Sequence, residues 1–224
     1  MKAMILAAGR GERMRPLTDV TPKPLLQAGQ HRLIEYHLYK LAEAGIKDVV
    51  INVAWLGQKI IDELGRGDKY QLNISYSNEG DHALETAGGI YNALPLLGDQ
   101  FIVVNGDIWT DFAFSRLMQI DLNDKAHLVL VENPEHHPLG DFAIRDGRLR
   151  EDVVEKSIPE KFTFSGIGLY AKDFFSESKK GKYPLAPMIR QYIQYDQVSG
   201  EVYQGKWFDI GTPERLEALS SFLK

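Results

Sequence analysis

The sequence contains no cysteine among its 224 residues. This absence excludes disulfide bonds, thiolate nucleophiles, and zinc or iron–sulfur sites held by thiolates. Any nucleophile or metal ligand in this chain must therefore be an oxygen or nitrogen group.

Positive charge is also scarce, because Lys and Arg total 26 against 31 Asp and Glu, which gives a formal net charge of -5 at pH 7. Without a basic field, we expect no nucleic-acid partner. No apolar run approaches the roughly 18 to 20 residues that span a bilayer, and the apolar stretch at residues 3–8 is shorter than a signal-peptide core. We therefore expect a cytoplasmic protein with no membrane partner.

Strand-like apolar segments alternate with segments of helical periodicity through the first half of the chain. Such alternation is typical of right-handed βαβ units in a sheet covered on both faces. The second half is less regular, with a hairpin predicted around the turn Asp146-Gly147. Strands are predicted over residues 2–7, 48–53, 72–77, 101–104, 126–131 and 162–170 and within 201–210, and helices over 33–44, 56–64, 86–97, 185–192 and from 213.

These elements predict a Rossmann-like α/β fold, an open, mostly parallel mixed sheet with helices on both faces. No linker, repeat or low-complexity tract divides residues 1–224, so we expect a single domain. In such sheets, ligands bind beyond the carboxyl ends of the strands, so the residues that follow each strand are the first candidates for a site.

The loop after the first strand is suited to an anion. Gly9 and Gly11 allow the backbone to approach phosphate oxygens closely, and Arg13, Arg15 and Lys23 supply positive charge. Because Met14 replaces the last glycine of a GxGxxG pattern and no Walker A pattern is present, the loop belongs to neither common phosphate motif. The alternative is a tight turn with solvated charges. The clustering of three cations favours a polyphosphate.

Two acids follow buried strands in widely separated parts of the sequence. Asp107 ends the run Val104-Asn-Gly-Asp107, and Asp209 lies in Trp207-Phe-Asp-Ile-Gly211. Carboxylates among apolar neighbours are costly without compensation, and Mg²⁺ beside phosphate oxygens is a common partner for one or two of them. The alternative for each acid alone is a helix N-cap or an Asx turn.

His136-His137 does not predict a metal site, because adjacent side chains on one strand face opposite ways and no third ligand has a diagnostic spacing. A substrate contact through the neighbouring loop at residues 140–142 is the alternative function for this pair.

The segment Leu6-Ala-Ala-Gly-Arg-Gly-Glu-Arg-Met-Arg-Pro-Leu-Thr18 with Pro22-Lys-Pro24 resembles the signature of the sugar-1-phosphate nucleotidyltransferases. Glu12 replaces the threonine that is common in that signature. Further matches in the family's order cover nearly the whole chain: Leu84-Glu-Thr-Ala-Gly-Gly89, Val104-Asn-Gly-Asp107, Val154-Glu-Lys156, Phe164-Ser-Gly-Ile-Gly-Leu-Tyr170 and Trp207-Phe-Asp-Ile-Gly-Thr-Pro213. The hexapeptide repeats of a C-terminal β-helix, present in many relatives, do not occur in this sequence.

The resemblance implies that a nucleoside triphosphate and a sugar 1-phosphate react with Mg²⁺ as cofactor and that pyrophosphate is released. It implies a nucleotide-binding half at residues 1–110 and a sugar-phosphate-binding half at 111–224. Arg13, Lys23 and Asp107 would be catalytic, and Asp107 and Asp209 would hold Mg²⁺. The nucleotide would contact Ala7, Ala8, Gly9, Gly11, Glu12, Arg13, Lys23, Glu79, Thr86 and Gly88, and the sugar phosphate would contact Asn105, Gly140, Asp141, Glu155 and Lys156.

Two further segments, residues 52–57 and 133–142, most resemble the branch of the family that transfers a uridylyl group from UTP to N-acetylmuramate 1-phosphate during peptidoglycan recycling. UTP is therefore the expected nucleotide. Three alternatives stay open: guanylyl transfer to mannose 1-phosphate, uridylyl or thymidylyl transfer to glucose 1-phosphate, and a non-catalytic nucleotide-binding module. The retained Arg13, Lys23, Asp107 and Asp209 argue against the last one.

Overall fold

A nine-stranded mixed sheet forms the centre of the molecule in the computed structural model, which describes residues 1–80, 83–151 and 161–224. The strands are β1 (Lys2–Leu6), β2 (Gln27–Ala28), β3 (His31–Arg32), β4 (Asp48–Val53), β5 (Asn73–Asn78), β6 (Gln100–Asn105), β7 (Ile108–Thr110), β8 (Ala126–Val131), β9 (Ala143–Arg145), β10 (Arg148–Arg150), β11 (Thr163–Ala171), β12 (Val198–Tyr203) and β13 (Trp207–Asp209). The central sheet has the order β5-β4-β1-β6-β11-β8-β12-β10-β9, and β13 pairs with β7 and β2 with β3 in two small ribbons.

The helices are α1 (Leu17–Val20), α2 (Leu33–Glu43), α3 (Gly57–Leu64), α4 (Glu85–Ala93), α5 (Ser115–Met118), α6 (Ala186–Gln194) and α7 (Pro213–Phe222). Within the described ranges, none of them has the length and apolar character needed to cross a membrane. Helix α4 ends four residues earlier than predicted and continues as a 3-10 turn, Leu94–Leu96. Pro95 explains this early end, because it has no N–H to donate to the carbonyl four residues earlier and its ring crowds that carbonyl.

The sheet divides into a parallel part and a mostly antiparallel part. Strands β5, β4, β1 and β6 are parallel to one another, as the alternation of strands and helices predicts. Strand β11 then runs antiparallel to both β6 and β8, and the predicted hairpin around Asp146-Gly147 is present as β9 and β10. The predicted open, mixed α/β sheet is confirmed.

Successive residues of the central strands point into two different cores. Ala3 and Ile5 of β1 belong to one buried cluster, while Met4 between them belongs to the cluster on the other face. Strand β6 divides in the same way, with Ile102 on one face and Val103 on the other. Both faces of the sheet are therefore covered, which explains why the strands are continuously apolar.

The carboxyl ends of the parallel strands lie side by side. Leu6 pairs with Asn52 of β4 on one side and with Asn105 of β6 on the other. The end of the chain returns to this edge, because Asp209 of β13 lies opposite Ile108 of β7. The loops that follow β1, β4, β5, β6 and β13 therefore surround one region of the surface.

Candidate active site

Two adjoining cavities open at this edge of the sheet. The first, which we call the Glu79 cavity, has a volume of about 190 Å³, and the second, the Arg13 cavity, about 220 Å³. Lys23 and Asp107 line both. The Glu79 cavity is also lined by Leu6, Ala7, Ala8, Gly9, Pro24, Asn52, Glu79, Ala83, Glu85, Thr86, Asn105 and Gly106, and the Arg13 cavity by Gly11, Glu12, Arg13, Met14 and Gly211.

The ion pair of Lys23 and Asp107 lies where the two cavities meet. Lys23 Nζ is 2.8 Å from Asp107 Oδ2, and the lysine side chain is only 9% exposed. Gly106 makes this arrangement possible, since its N–H donates to the carbonyl of Leu6 and a Cβ there would lie 2.6 Å from that oxygen. The chain thus passes close to β1 and leaves Asp107 beside the lysine.

The glycine loop turns sharply at Gly11, which has a φ of +68°. Its carbonyl accepts a hydrogen bond from the hydroxyl of Thr18 at 2.8 Å. Arg10 extends away from the cavities, stacks over the ring of Trp55 at 3.9 Å and donates to Asp19 at 2.8 Å. The arginine hydrogen bond lowers the pKa of the Asp19 carboxyl and keeps it ionised.

Arg15 was expected to supply positive charge to a bound anion, but it lines neither of the two adjoining cavities. Its Nε donates to Asp19 at 2.9 Å, so the same carboxylate that holds Arg10 also holds Arg15. Glu12 lies loosely between the two arginines, 3.8 Å from Arg10 and 3.9 Å from Arg15. Arg13 and Lys23 are therefore the cations that line the Arg13 cavity.

Glu79 forms a hydrogen-bonded group with two neighbours at the other end of the site. One carboxylate oxygen accepts from Asn52 Nδ2 at 2.6 Å, and the other accepts from the backbone N–H of Leu84 at 2.6 Å. Burial raises the pKa of Glu79, while these two hydrogen bonds oppose the shift. The amide oxygen of Asn52 accepts from the N–H of Ala7 at 2.7 Å, which connects this group to the glycine loop.

Asp209 reaches the site from the far end of the chain. The N–H of Ile210 donates to the carbonyl of Asp107 at 2.9 Å, which fixes the two acids on adjacent backbone segments. The Asp209 carboxylate accepts from Arg215 at 2.6 Å and lies 3.1 Å from His136 Nε2. These side chains line a third cavity of about 380 Å³ together with Trp207 and Phe208.

A Mg²⁺ ion at this site would need ligands besides protein side chains. Among the described residues, no three His, Asp or Glu side chains cluster into a complete metal cage. Mg²⁺ commonly takes only one or two carboxylates and completes its shell with phosphate oxygens and water. Asp107 lines the two adjoining cavities and Asp209 lines the third, on a hydrogen-bonded neighbouring segment, so these are the carboxylates that could contribute to such a shell.

Most, but not all, of the predicted nucleotide contacts lie at the two adjoining cavities. Nine of the ten predicted nucleotide contacts line one of the two adjoining cavities. Gly88 instead faces residues 181–183, because its N–H donates to Tyr183 and a Cβ there would lie 2.2 Å from the carbonyl oxygen of Gly181.

Of the predicted sugar-phosphate contacts, Asn105 lines the Glu79 cavity. The Asp141 carboxylate accepts from the N–H of Phe164 at 2.8 Å and lies 3.2 Å from His137, while Gly140 packs against Lys161. Neither Gly140 nor Asp141 lines the two adjoining cavities. Glu155 and Lys156 lie outside the described residues.

Two residues of the site were missing from the predicted set. Asn52 is a polar residue near the end of an apolar strand. It would have been found if polar residues at the last strand positions had been considered together with those in the following loops. Arg215 lies in the first turn of α7, and only the return of the chain end to the sheet brings it beside Asp209.

Comparisons with known proteins show which proteins this chain resembles. The model of a family described as nucleotidyl transferase matches residues 2–224. The chain is 50% identical to the N-acetylmuramate alpha-1-phosphate uridylyltransferase of Neisseria meningitidis serogroup B, over 97% of this chain and 96% of that protein. A protein of the same name from Caulobacter vibrioides is 29% identical over 95% of this chain and 92% of its own length. A Bacillus anthracis crystal structure, provisionally named a glucose-1-phosphate thymidylyltransferase, has a TM-score of 0.87 and 24% identity and covers 100% of this chain and 95% of that one.

Proposed function

The chain belongs to the nucleotidyl transferase family, and from this premise we propose that it transfers a uridylyl group from UTP to N-acetylmuramate 1-phosphate. The products are UDP-N-acetylmuramate and pyrophosphate. The observation that carries the proposal is the 50% identity, over nearly the whole length of both chains, to the Neisseria uridylyltransferase. The product is a precursor of peptidoglycan, so we place the reaction in the cytoplasmic recycling of cell-wall sugars.

The reaction is an in-line displacement at the α-phosphorus of UTP. An oxygen of the sugar phosphate forms the new bond to this phosphorus, while the bond to the bridging oxygen of the β-phosphate breaks and its electron pair leaves with pyrophosphate. A phosphate monoester has a second pKa of about 6 and is mostly a dianion at neutral pH, so it needs no general base. Catalysis therefore depends on the position and the neutralisation of two anions.

Arg13 and Lys23 supply the positive charge in this proposal. Arg13 lines the cavity suited to the β- and γ-phosphates and would stabilise the departing pyrophosphate. Lys23 is nearly buried and would contact the α-phosphate, where the two cavities meet. The Asp107 carboxylate keeps the ammonium group in place until substrate phosphates approach.

Asp107 and Asp209 would hold Mg²⁺ beside the phosphates. When bound, the ion would neutralise charge on the phosphate oxygens and help to align the two substrates. Asp209 is paired with Arg215 through Oδ2. The guanidinium groups of Arg215 and Arg13 both lie on the side of Gly211 where a Cβ would be, since that Cβ would be 2.8 Å from Arg215 Nη1 and 3.2 Å from Arg13 Nη2.

Glu79 and Thr86 would receive the base. Each oxygen of the Glu79 carboxylate already accepts one hydrogen bond, and a carboxylate has capacity for about four, so the N3–H of uracil can still be accepted. The remaining nucleotide contacts would come from the glycine loop. Asn105, Gly140, Asp141, Glu155 and Lys156 remain the proposed contacts of the sugar phosphate.

The proposal is tested by measuring pyrophosphate release with UTP, GTP, CTP and dTTP against N-acetylmuramate, glucose and mannose 1-phosphates, each with and without Mg²⁺. We expect UTP with N-acetylmuramate 1-phosphate and Mg²⁺ to give the highest kcat/KM. A strong preference for GTP with mannose 1-phosphate would overturn the proposal. Nucleotide binding without turnover for any sugar phosphate would point to a non-catalytic module.

A further inference from the structure

The side-chain amide of Asn52 is buried at the centre of the nucleotide site. Asn52 is the next-to-last residue of β4, and its strand neighbours are Leu6 of β1 and Ser77 of β5. The residue is only 3% exposed. It therefore lies between the loop that follows β1 and the loop that follows β5.

Both ends of this amide are used, and each contacts a different loop. The oxygen accepts from the N–H of Ala7, and the NH₂ group donates to Glu79. The partners fix the orientation of the amide, because an N–H requires an acceptor and an ionised carboxylate requires a donor. A buried polar group that loses such a partner is costly, so neither end can turn away without penalty.

Helix α4 prevents the pair from separating. Gly89 packs directly against it, since a Cβ at this position would lie 2.4 Å from Glu79 Oε1 and 2.8 Å from Asn52 Nδ2. The N–H of Leu84, at the start of the same helix, holds the second oxygen of Glu79. The carboxylate is thus fixed from two sides.

We propose that Asn52 is a positioning residue that holds the phosphate-binding loop and the base-binding carboxylate of Glu79 at a fixed separation. That the base is uracil rests on the proposed function. The coupling of the two loops rests only on the hydrogen bonds of Asn52 to Ala7 and Glu79. A nucleotide must contact both loops at once, so their preset spacing lowers the ordering cost of binding. Asn52 contributes to nucleotide affinity through Ala7 and Glu79 rather than by touching the reacting atoms.

As long as Glu79 is present, position 52 needs a side chain with one donor and one acceptor. In Asn52→Asp, one oxygen still accepts from Ala7, but the other faces the carboxylate of Glu79. Two ionised carboxylates at this distance repel each other, so the two side chains move apart or one of them takes up a proton. In Glu79→Gln, the new NH₂ group faces either the NH₂ of Asn52 or the N–H of Leu84, so two donors again oppose each other.

The double variant Asn52→Asp/Glu79→Gln reverses donor and acceptor and restores every hydrogen bond. The introduced aspartate accepts from Ala7 and from the NH₂ group of the introduced glutamine, whose amide oxygen accepts from Leu84. We expect each single substitution to raise the KM for UTP about tenfold or more, the effect of losing a hydrogen bond to a charged group. The double variant should return to within about threefold of the wild-type KM, because the two changes act on one bond.

The control is Asn92→Asp. Asn92 lies on α4 and donates to Ser77 and to the carbonyl of Asn78, so the substitution adds the same charge nearby without touching Ala7 or Glu79. Its KM for UTP should stay within about twofold of wild type. Thermal unfolding of all four variants shows whether each is folded. If Asn52→Asp does not fold, the comparison of Glu79→Gln with the double variant tests the proposal.

Two readouts separate positioning from a general loss of structure. A misfolded fraction lowers kcat for every substrate, whereas lost positioning raises the KM for UTP and leaves the KM for the sugar phosphate unchanged. A double variant no better than the worse single, or equal rises in both KM values, would overturn the inference. If the wild-type protein prefers another nucleotide, the proposed function fails, and the same variants measured with that nucleotide still decide the role of Asn52.

Discussion

Arg13 and Arg15 belong to one loop but contact different groups. Arg13 lines the cavity that we propose for the triphosphate, whereas Arg15 is paired with Asp19 and 57% of its side chain is exposed. We predict that Arg13→Met lowers kcat/KM by about 10²-fold to 10³-fold, as expected for removal of a group that stabilises developing charge. Arg15→Met should change it by less than about threefold, since an exposed ion pair contributes little.

Steady-state pyrophosphate release measures both variants under identical conditions. Arg10 still holds Asp19 when Arg15 is removed, so the second substitution leaves the loop tied to its neighbour. Comparable losses in the two variants would mean that total loop charge matters, and the assignment of Arg13 to the phosphates would then be wrong.

The sequence predicted the types of residue at this site better than their individual partners. The glycine loop, Lys23 and Asp107 were found because they follow strands and combine charge with backbone freedom. The pairing of Arg15 with Asp19 was missed, since a choice among three nearby arginines depends on side-chain geometry that spacing does not encode. Asn52 was missed because its role depends on two hydrogen bonds to segments that are distant in sequence.

At the scale of elements, Gly89 of α4 has an unusual packing requirement. Alanine is favoured over glycine in a helix by up to about 1 kcal/mol, so Gly89→Ala would normally stabilise the protein. Here a Cβ would lie 2.4 Å from Glu79 Oε1 and must displace the carboxylate. We predict a rise of about tenfold or more in the KM for UTP, comparable with loss of the hydrogen bond from Asn52.

Gly98→Ala is the matched control for this prediction. A Cβ at Gly98 would be 3.6 Å from the carbonyl oxygen of Gln100, an ordinary contact, and the residue lies at the opposite edge of the sheet, just before β6. Its KM should remain that of wild type. An unchanged KM in Gly89→Ala would show that Glu79 can move without consequence for nucleotide binding.

His37 connects α2 to β7 and makes stability depend on pH. Its Nε2 lies 2.9 Å from the carbonyl of Ile108, and burial lowers its pKa to about 4, against the opposing effect of that hydrogen bond. Between pH 6.5 and 4 the unfolded chain binds a proton that the folded chain does not, so stability falls as pH decreases.

We predict that acidification from about pH 7 to 5 reduces the free energy of unfolding of the wild type by about 2 kcal/mol more than that of His37→Gln. Glutamine keeps a donor for Ile108 but has no proton to gain. Urea unfolding at the two pH values measures the difference. Equal losses in both proteins would show that His37 does not cause the acid sensitivity.

Most elements were predictable because their apolar periodicity is strong, and β4 and β8 have the predicted bounds. The missed elements are short. Strands β2 and β3 have two residues each, β7 has three, and α1 and α5 have four. Such segments contain too few residues to show a period, and tertiary contacts determine them, as in the pairing of β7 with β13 near the chain end.

At the scale of the whole molecule, the site requires segments that are about a hundred residues apart in sequence. Strand ends and loops of the first half line most of the two adjoining cavities, while β13 and the start of α7 return to contribute Asp209 and Arg215 beside them. The hydrogen bond from Ile210 to Asp107 joins these two parts of the chain. Nucleotide and metal should therefore stabilise the molecule through both parts together.

We predict that UTP with Mg²⁺, at a hundred times the dissociation constant, raises wild-type stability by about 2.7 kcal/mol. For a chain of this size the shift in Tm is about 5 to 10 °C. Asp107→Asn and Asp209→Asn should keep the smaller increase in Tm that UTP alone gives, but they should lose the further increase that Mg²⁺ adds. Both substitutions should also lower turnover by about 10²-fold or more.

Thermal unfolding with UTP, with Mg²⁺ and with both together measures the increment, and it reports on the metal site without requiring turnover. Asp62→Asn is the control, because this exposed acid of α3 accepts a hydrogen bond only from the nearby side chain of Gln58 among the contacts described, and it should retain the full increment. The two site variants are informative separately, since Asp107 also pairs with Lys23 whereas Asp209 pairs with Arg215. A complete Mg²⁺ increment in Asp209→Asn would remove that residue from the metal site and leave the chain end with a purely structural contact to the first half.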